Sequence, residues 1–181
     1  MYWPIHAIQN PVQAEELTFG LTVPEDFKID LPNPSHWQLP GAPEYKNERL
    51  GYYQSLLVER GITDRQDLRL FAAQLLQENG AIAEDRHGDG GCSIGIPQRN
   101  VCQFGYSAKS FIRKYPEWKD WRMQMRWMAD YTAKQYERFD KNAKCTIIYH
   151  NRPASALAGC RDTAAGYYKT ISAKASLLSS L

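Results

Sequence analysis

The chain has 181 residues, 43% of them hydrophobic, which is enough apolar material for the core of one domain. Its formal net charge is only +2, and the basic residues are scattered along the chain rather than clustered, which argues against a nucleic-acid groove. The first four residues lack the basic start and apolar core of a secretory signal, and no stretch is long enough to span a membrane. We therefore expect no cleavable signal peptide, no membrane span and no nucleic-acid partner.

Residues 1–43 are predicted to form an extended arm, and residues 44–181 a single domain. Seven of the ten prolines fall before residue 44, and proline prevents regular helix. The arm also carries bulky aromatic residues, which are unusual in a tail that only solvates: Trp3, Phe19, Phe27 and Trp37. We expect the arm to dock, either onto a partner protein or back onto the body of the chain.

The first part of the domain is predicted to be helical. Apolar spacing predicts one helix over 44–60 and a second, amphipathic one over about 64–79. Thr63 and Gln66 have the spacing of a capping box that would open the second helix, and Gly80 is expected to end it.

The rest of the domain is predicted to be mostly helical with a small hairpin region, so that the fold class is α+β. Five glycines over 84–106 indicate short strands and tight turns. Further helices are predicted over about 118–139, 143–150 and 163–175, the last two joined by a loop that contains Pro153. The aromatic and Met stripe of the 118–139 helix is interpreted as core.

The four cysteines all lie in the second half of the chain: Cys92, Cys102, Cys145 and Cys160. Pairing of nearest neighbours is one of three possible disulfide patterns and would pin two loops. The competing interpretation is a metal site, because His87 and the first two cysteines are mirrored in spacing by His150 and the last two. No Cys-x-x-Cys pair is present, and zinc sites usually have one. Disulfides or buried thiols are therefore favoured, and we expect no metal or cofactor.

Glu78 falls in the last turn of the second predicted helix, at the edge of its apolar stripe. The negative end of the helix dipole and partial burial both disfavour a carboxylate, so we expect the pKa of Glu78 to be raised. A glutamic acid that keeps its proton near neutral pH can donate that proton to a departing glycosidic oxygen. For a Glu considered alone, the plainer interpretation is that it solvates a helix end.

The residues beyond Glu78 favour the catalytic interpretation. Ten residues later comes the string Gly88-Asp89-x-Gly91-x-x-x-Gly95-x-x-Gln98, and further on Tyr149-His150-Asn151. This ordered set resembles the lysozyme-like lytic transglycosylases and goose-type lysozymes, over about residues 64–172. The resemblance implies a lysozyme-like fold whose Glu cuts the bond between N-acetylmuramic acid and N-acetylglucosamine in bacterial peptidoglycan.

The resemblance also implies roles for single residues. Glu78 would be the catalytic acid, and Asp89 would activate or position water. Asn100 stands where the family has a second acidic residue, so activation of water would rest on Asp89 alone. If Asp89 points away from the cleft, attack by the muramic 6-hydroxyl would be favoured over attack by water. The implied substrate-binding residues are Gly95, Gln98, Asn100, Tyr149, Asn151 and Tyr167, with Tyr168 as the alternative to the last.

Each of these residues has a structural alternative. Asp89 and Gly90 form a common hairpin-turn pair, and Gln98 and Asn151 can be satisfied interior amides. Four positions depart from the family pattern: Asn79 and Pro97, and His150 and Pro153, which stand where the Asn element has Tyr and Gly.

The leading hypothesis is therefore a peptidoglycan-cleaving glycosidase, either a muramidase or a lytic transglycosylase. Because no export signal is expected, we expect it to belong to a bacteriophage virion or tail whose assembly holds the arm, with an extracellular or periplasmic site of action. One alternative is a structural or glycan-binding virion protein that uses the same fold without catalysis. Another is a glycosidase of the chitinase or chitosanase kind.

Overall fold

The computed structural model of the protein describes residues 36–80, 87–162 and 166–180. In these ranges the chain is mostly helical with short antiparallel strands, which confirms the α+β class. The helices are α1 (Glu44–Glu59), α2 (Arg65–Asn79), α3 (Ala108–Lys114), α4 (Trp121–Arg138), α5 (Ala143–Asn151), α6 (Pro153–Leu157) and α7 (Tyr167–Ala175). The strands are β1 (Trp37–Gln38), β2 (His87–Gly88), β3 (Ser93–Ile94), β4 (Arg99–Asn100) and β5 (Ser179–Ser180).

The domain begins before residue 44. Strand β1 pairs antiparallel with β5, with Trp37 opposite Ser180. Trp37 is buried, and its indole Nε1 donates to the Arg65 carbonyl at 2.8 Å. Residues 36–43 are therefore part of the folded body, although their prolines assign them to the arm. The interpretation of residues 1–35 as a docking arm lies outside the described residues.

Helix α2 runs through the centre of the fold. The predicted apolar stripe is buried, but Ala73 and Gln74 are buried as well, so the helix is covered on almost all sides rather than on one. The predicted capping box is wrong by one position, because Asp64 caps the helix by accepting from the Gln66 and Asp67 amides. Gly80 ends α2 in the left-handed conformation, as predicted.

The helix predicted over 118–139 is interrupted near its start. A 3₁₀ turn at Pro116–Lys119 precedes α4, and Asp120 accepts from the Arg122 amide at 2.8 Å to start the new helix. Pro153, placed in a loop by the sequence, is the first residue of α6, where a proline has no hydrogen bond to lose. Helix α3 was not predicted from the sequence.

The core has two parts. The larger lies between α1, α2, α4, α5 and α7, and the smaller lies under the strands β2 to β4, where Ile94 and Val101 pack against Phe111 and Trp118. We call these parts the helical lobe and the hairpin lobe. Trp127 on α4 packs against both, which places it at their junction.

Two disulfides join nearest neighbours in the chain, Cys92 with Cys102 and Cys145 with Cys160. They use all four cysteines, so the metal interpretation of these residues is wrong. The first bridge closes the hairpin lobe, and the second ties the start of α5 to the segment after α6.

Candidate active site

Glu78 lies where α2 leaves the core and the chain approaches the hairpin lobe. Its side chain is 12% exposed, so it is neither sealed in the core nor turned into bulk solvent. Two side chains from other helices reach its carboxyl: Tyr167 from α7 and His150 from α5. The site therefore joins three helices that are far apart in the chain.

Tyr167 donates a hydrogen bond from its hydroxyl to Glu78 Oε1. It is the first residue of α7, and the Asp162 carboxylate fixes the start of that helix by accepting from the amides of Tyr168 and Lys169 at 3.0 and 3.1 Å. Gln74, one turn before Glu78 on α2, also hydrogen-bonds the Tyr167 side chain. Of the two tyrosines that the sequence offered for this position, Tyr167 is the one beside Glu78.

His150 places its ring Nε2 3.6 Å from Glu78 Oε1, and only 10% of its side chain is exposed. Its ring meets Tyr131 of α4 edge to face, with the centroids 5.7 Å apart. Tyr131 in turn stacks on Trp127 at the junction of the two lobes. A row of rings therefore leads from Glu78 across α4 to the hairpin lobe.

The pKa of Glu78 lies below its ordinary value, and the expectation of a raised pKa is wrong. Burial is the largest single influence and does raise the pKa, but the His150 imidazole and the Tyr167 hydroxyl together outweigh it. The negative charge of Asp89 raises the pKa to a smaller extent. Sequence reasoning anticipated the burial but not the two partners, which come from distant helices.

Asp89 is exposed and forms the turn between β2 and β3, with a φ of 49° beside Gly90. The Ser93 hydroxyl donates to its carboxylate at 2.5 Å. The turn interpretation is therefore confirmed. Its negative charge also raises the pKa of Glu78 to a small extent.

Gln98 and Gly95 lie together in the loop between β3 and β4. The Gln98 side-chain amide donates to the Gly95 carbonyl at 2.7 Å. Its Oε1 would lie 2.3 Å from any Cβ added at Gly88, so the glycine at 88 makes room for Gln98. Gly95 itself is buried against Gln124 and Trp118, and any contact with a ligand would have to come from its backbone.

Among the described residues, no hydrogen bond or ion pair joins the remaining predicted residues to the Glu78 carboxyl. Asn100 is exposed and accepts from the Cys102 and Gln103 amides, which caps a short 3₁₀ turn. The Tyr149 hydroxyl accepts from Arg138 at 2.9 Å, and Asn151 is exposed at the end of α5. Adjacent residues of a helix project their side chains from different faces, so Tyr149 and Asn151 do not point toward Glu78 as His150 does.

His150 was not among the predicted site residues. The signal for it was a departure from the family pattern, a histidine in the Tyr position of the Asn element. From the sequence alone, His150 is interpreted as a buried or cleft-edge histidine. Its contact with Glu78 depends on how α5 is rotated against α2, which residue spacing alone does not specify.

A cavity of about 730 Å³ lies at the start of the domain, lined by residues of β1 and α1 that include Gln38 and Tyr45. Glu78 is not among its lining residues. Within the described ranges, no cluster of three or more His, Cys, Asp or Glu side chains is arranged to hold a metal ion. No helix in the same ranges is long and apolar enough to cross a bilayer.

Comparison of the chain with protein-family models, with curated proteins and with solved structures gives no match.

Proposed function

We propose that this chain is a peptidoglycan-cleaving glycosidase with a lysozyme-like fold, and that Glu78 is its general acid. The observation that carries the proposal is the position of Glu78. Its carboxyl is mostly buried, is held by Tyr167 and lies at the end of the central helix, just before the glycine-rich hairpin lobe. A carboxyl held in this way can be aimed at one atom of a bound sugar strand.

In the proposed reaction, protonated Glu78 donates to the oxygen between N-acetylmuramic acid and N-acetylglucosamine. The C1–O bond breaks, its electron pair stays on the departing oxygen, and Glu78 becomes a carboxylate. The sugar cation that develops is then captured either by water, whose proton passes to a base, or by its own 6-hydroxyl, whose proton returns to the Glu78 carboxylate. Capture by water requires a second base, and Asp89 is the candidate because its charge reaches Glu78.

The proposed substrate is bacterial peptidoglycan, and the proposed setting is a bacteriophage virion or tail that reaches the wall from outside or from the periplasm. Residues 1–35, the part of the predicted arm that precedes the folded body, would attach the domain to that assembly. In this proposal Gly95, Gln98 and Asn151 contribute to the sugar-binding surface. No cofactor is needed, because proton transfer and water or hydroxyl attack are sufficient for cleavage.

The test uses the full chain, its Glu78→Gln variant and a Glu117→Gln control on purified sacculi. Glu117 is an exposed glutamate on the 3₁₀ turn before α4, so its change should leave activity intact. We expect the unchanged chain and the control to release muropeptides, and Glu78→Gln to lower the rate by at least about a hundredfold. Equal release by all three, or release by none, contradicts the proposal.

The products of the same digest separate the two outcomes of cleavage. Hydrolysed and 1,6-anhydro ends differ by one water, which mass spectrometry resolves. If Asp89 activates water, Asp89→Asn should lower the hydrolysed product by about tenfold or more. Binding to sacculi without any release would favour the non-catalytic alternative, and faster cleavage of chito-oligomers than of sacculi would favour the chitinase alternative.

A further inference from the structure

We propose that His150 is a positioning residue for Glu78, and that with Tyr167 it holds Oε1 so that Oε2 carries the reacting proton. The inference rests on the proposed glycosidase function, which it extends to a residue outside the predicted site. It concerns which oxygen of the acid reacts and what stabilises the carboxylate after the proton has left.

The two contacts to Glu78 fall on the same oxygen. Tyr167 donates to Oε1, and His150 Nε2 lies 3.6 Å from that same atom. Within the described ranges no hydrogen bond or ion pair reaches Oε2, although the side chain as a whole is only 12% exposed. Oε1 is therefore held by both partners, and in this proposal Oε2 is the oxygen that carries the reacting proton.

The His150 ring is itself held in place. Tyr131 packs against it from α4, and the disulfide from Cys145 to Cys160 ties α5 to the segment that follows α6. An imidazole held in this way can approach Glu78 without a loss of side-chain freedom on each turnover.

Among the described residues, the other titratable and charged groups that act on the pair come from several elements. The charge of Asp89 in the hairpin lobe and the Tyr167 hydroxyl of α7 act on Glu78. His150 is faced by Tyr131 from α4, while its neighbour Tyr149 is bound to Arg138. His150 is therefore the group in this set that can place a positive charge beside the Glu78 carboxylate.

The positive charge acts on the step in which Glu78 gives up its proton. When the proton moves from Oε2 to the glycosidic oxygen, a negative charge appears on the carboxyl. A protonated imidazole and the Tyr167 hydroxyl both stabilise that charge, which makes Glu78 a stronger acid. The same charge restricts the protonated form of Glu78 to lower pH.

The first experiment follows the Glu78 carboxyl by ¹³C NMR in the full chain, with Glu78→Gln to assign its signal. In the unchanged chain we expect titration below the ordinary value of 4.5. In His150→Gln we expect the midpoint to rise by at least about one pH unit, because burial remains and the imidazole that opposes it is gone. An exposed histidine provides the control, and His87→Gln should leave the midpoint unchanged.

An unchanged midpoint in His150→Gln, or a midpoint at or above 4.5 in the unchanged chain, overturns the proposal. If His150→Gln does not fold, His150→Phe keeps a ring against Tyr131 and removes the nitrogens, with the same expected rise. None of these measurements depends on catalysis, so they test the effect of His150 on Glu78 even if no sacculus is cleaved.

The second experiment measures muropeptide release against pH for the unchanged chain and His150→Gln. We expect the variant to have a lower maximal rate but to keep its activity to a higher pH, because protonated Glu78 persists there. Loss of rate with no change in the pH profile would indicate a merely structural role for His150 and would overturn the proposal. If the unchanged chain releases nothing at any pH, the proposed function fails separately.

Discussion

The Tyr167 hydroxyl hydrogen-bonds Glu78 Oε1, although 89 residues separate the two in the chain. Helices α2 and α7 pack side by side in the helical lobe, with Ile171 of α7 and Leu75 of α2 fully buried there. The contact therefore depends on the helical lobe being assembled correctly. It also makes the protonation state of Glu78 a property of the whole fold rather than of one helix end.

The hydroxyl of Tyr167 can be removed without changing the ring. In Tyr167→Phe, Glu78 loses a hydrogen bond that stabilises its carboxylate, so its pKa should rise and muropeptide release should fall by about tenfold. The control is Tyr168→Phe, one position along the same helix, which we expect to retain activity. The measurements are the Glu78 titration and the rate of release from sacculi. Equal rates for both variants would contradict the role given to Tyr167.

The lowered pKa of Glu78 predicts a pH-dependent contribution to stability. Because the folded pKa lies below the unfolded one, ionised Glu78 stabilises the protein above pH of about 4.5, and this contribution is lost as the pH falls through the folded pKa. Glu78→Gln cannot titrate and lacks the contribution at every pH. Urea unfolding at pH 7 and at pH 3 should therefore show a smaller loss of stability in Glu78→Gln than in the unchanged chain. An equal loss would show that Glu78 is not stabilised in its ionised form.

Gly95 and Gly90 form a matched pair for testing how the hairpin lobe is packed. Both have positive φ, but a Cβ at Gly95 would lie 2.5 Å from the Gln124 amide oxygen, whereas a Cβ at Gly90 meets nothing within 4 Å. We expect Gly90→Ala to cost about 1 kcal/mol of stability, and Gly95→Ala about 3 kcal/mol because overpacking adds to the backbone strain. Thermal and urea unfolding measure both. Similar losses would contradict the packing described around Gln124.

The disulfide between Cys145 and Cys160 should support both stability and the site. Its cysteines are 15 residues apart, and a loop of that length corresponds to about 3 kcal/mol of stabilisation. We expect the paired change of both cysteines to Ser to lower the free energy of unfolding by that amount. Since α5 carries His150, release from sacculi should fall in the same variant even where the chain remains folded.

The same replacement at Cys92 and Cys102 is the comparison, with a separation of 10 residues and a slightly smaller expected loss of stability. This bridge closes the hairpin lobe and does not hold α5. Replacement of Cys92 and Cys102 should therefore change the titration of Glu78 less than replacement of Cys145 and Cys160 does. An equal displacement of the titration by both replacements would contradict the role given to α5.

Local features were predictable from the sequence. The start of α1 at Glu44 and the end of α2 at Gly80 agree with residue spacing and turn chemistry. The two disulfides follow one of the three pairings that the sequence left open. The sequence predicts that Glu78 and Tyr167 belong to one site, but not that they form a hydrogen bond.

The features that could not be predicted depend on packing between distant segments. Strand β1 was assigned to an arm because prolines surround it, and its partner Ser180 is 143 residues away. Asp120 starts a new helix because its side chain caps a free amide, which apolar periodicity does not reveal. The approach of His150 to Glu78 requires the relative rotation of α5 and α2.

The pairing of β1 with β5 brings both ends of the described domain to one point. Trp37 contacts the carbonyl of Arg65 there, at the start of α2, whereas Glu78 lies at the far end of the same helix. At a rise of about 1.5 Å per residue, the two positions are separated by about 20 Å. A tether attached at either end of the described domain would therefore begin at the opposite end of α2 from Glu78.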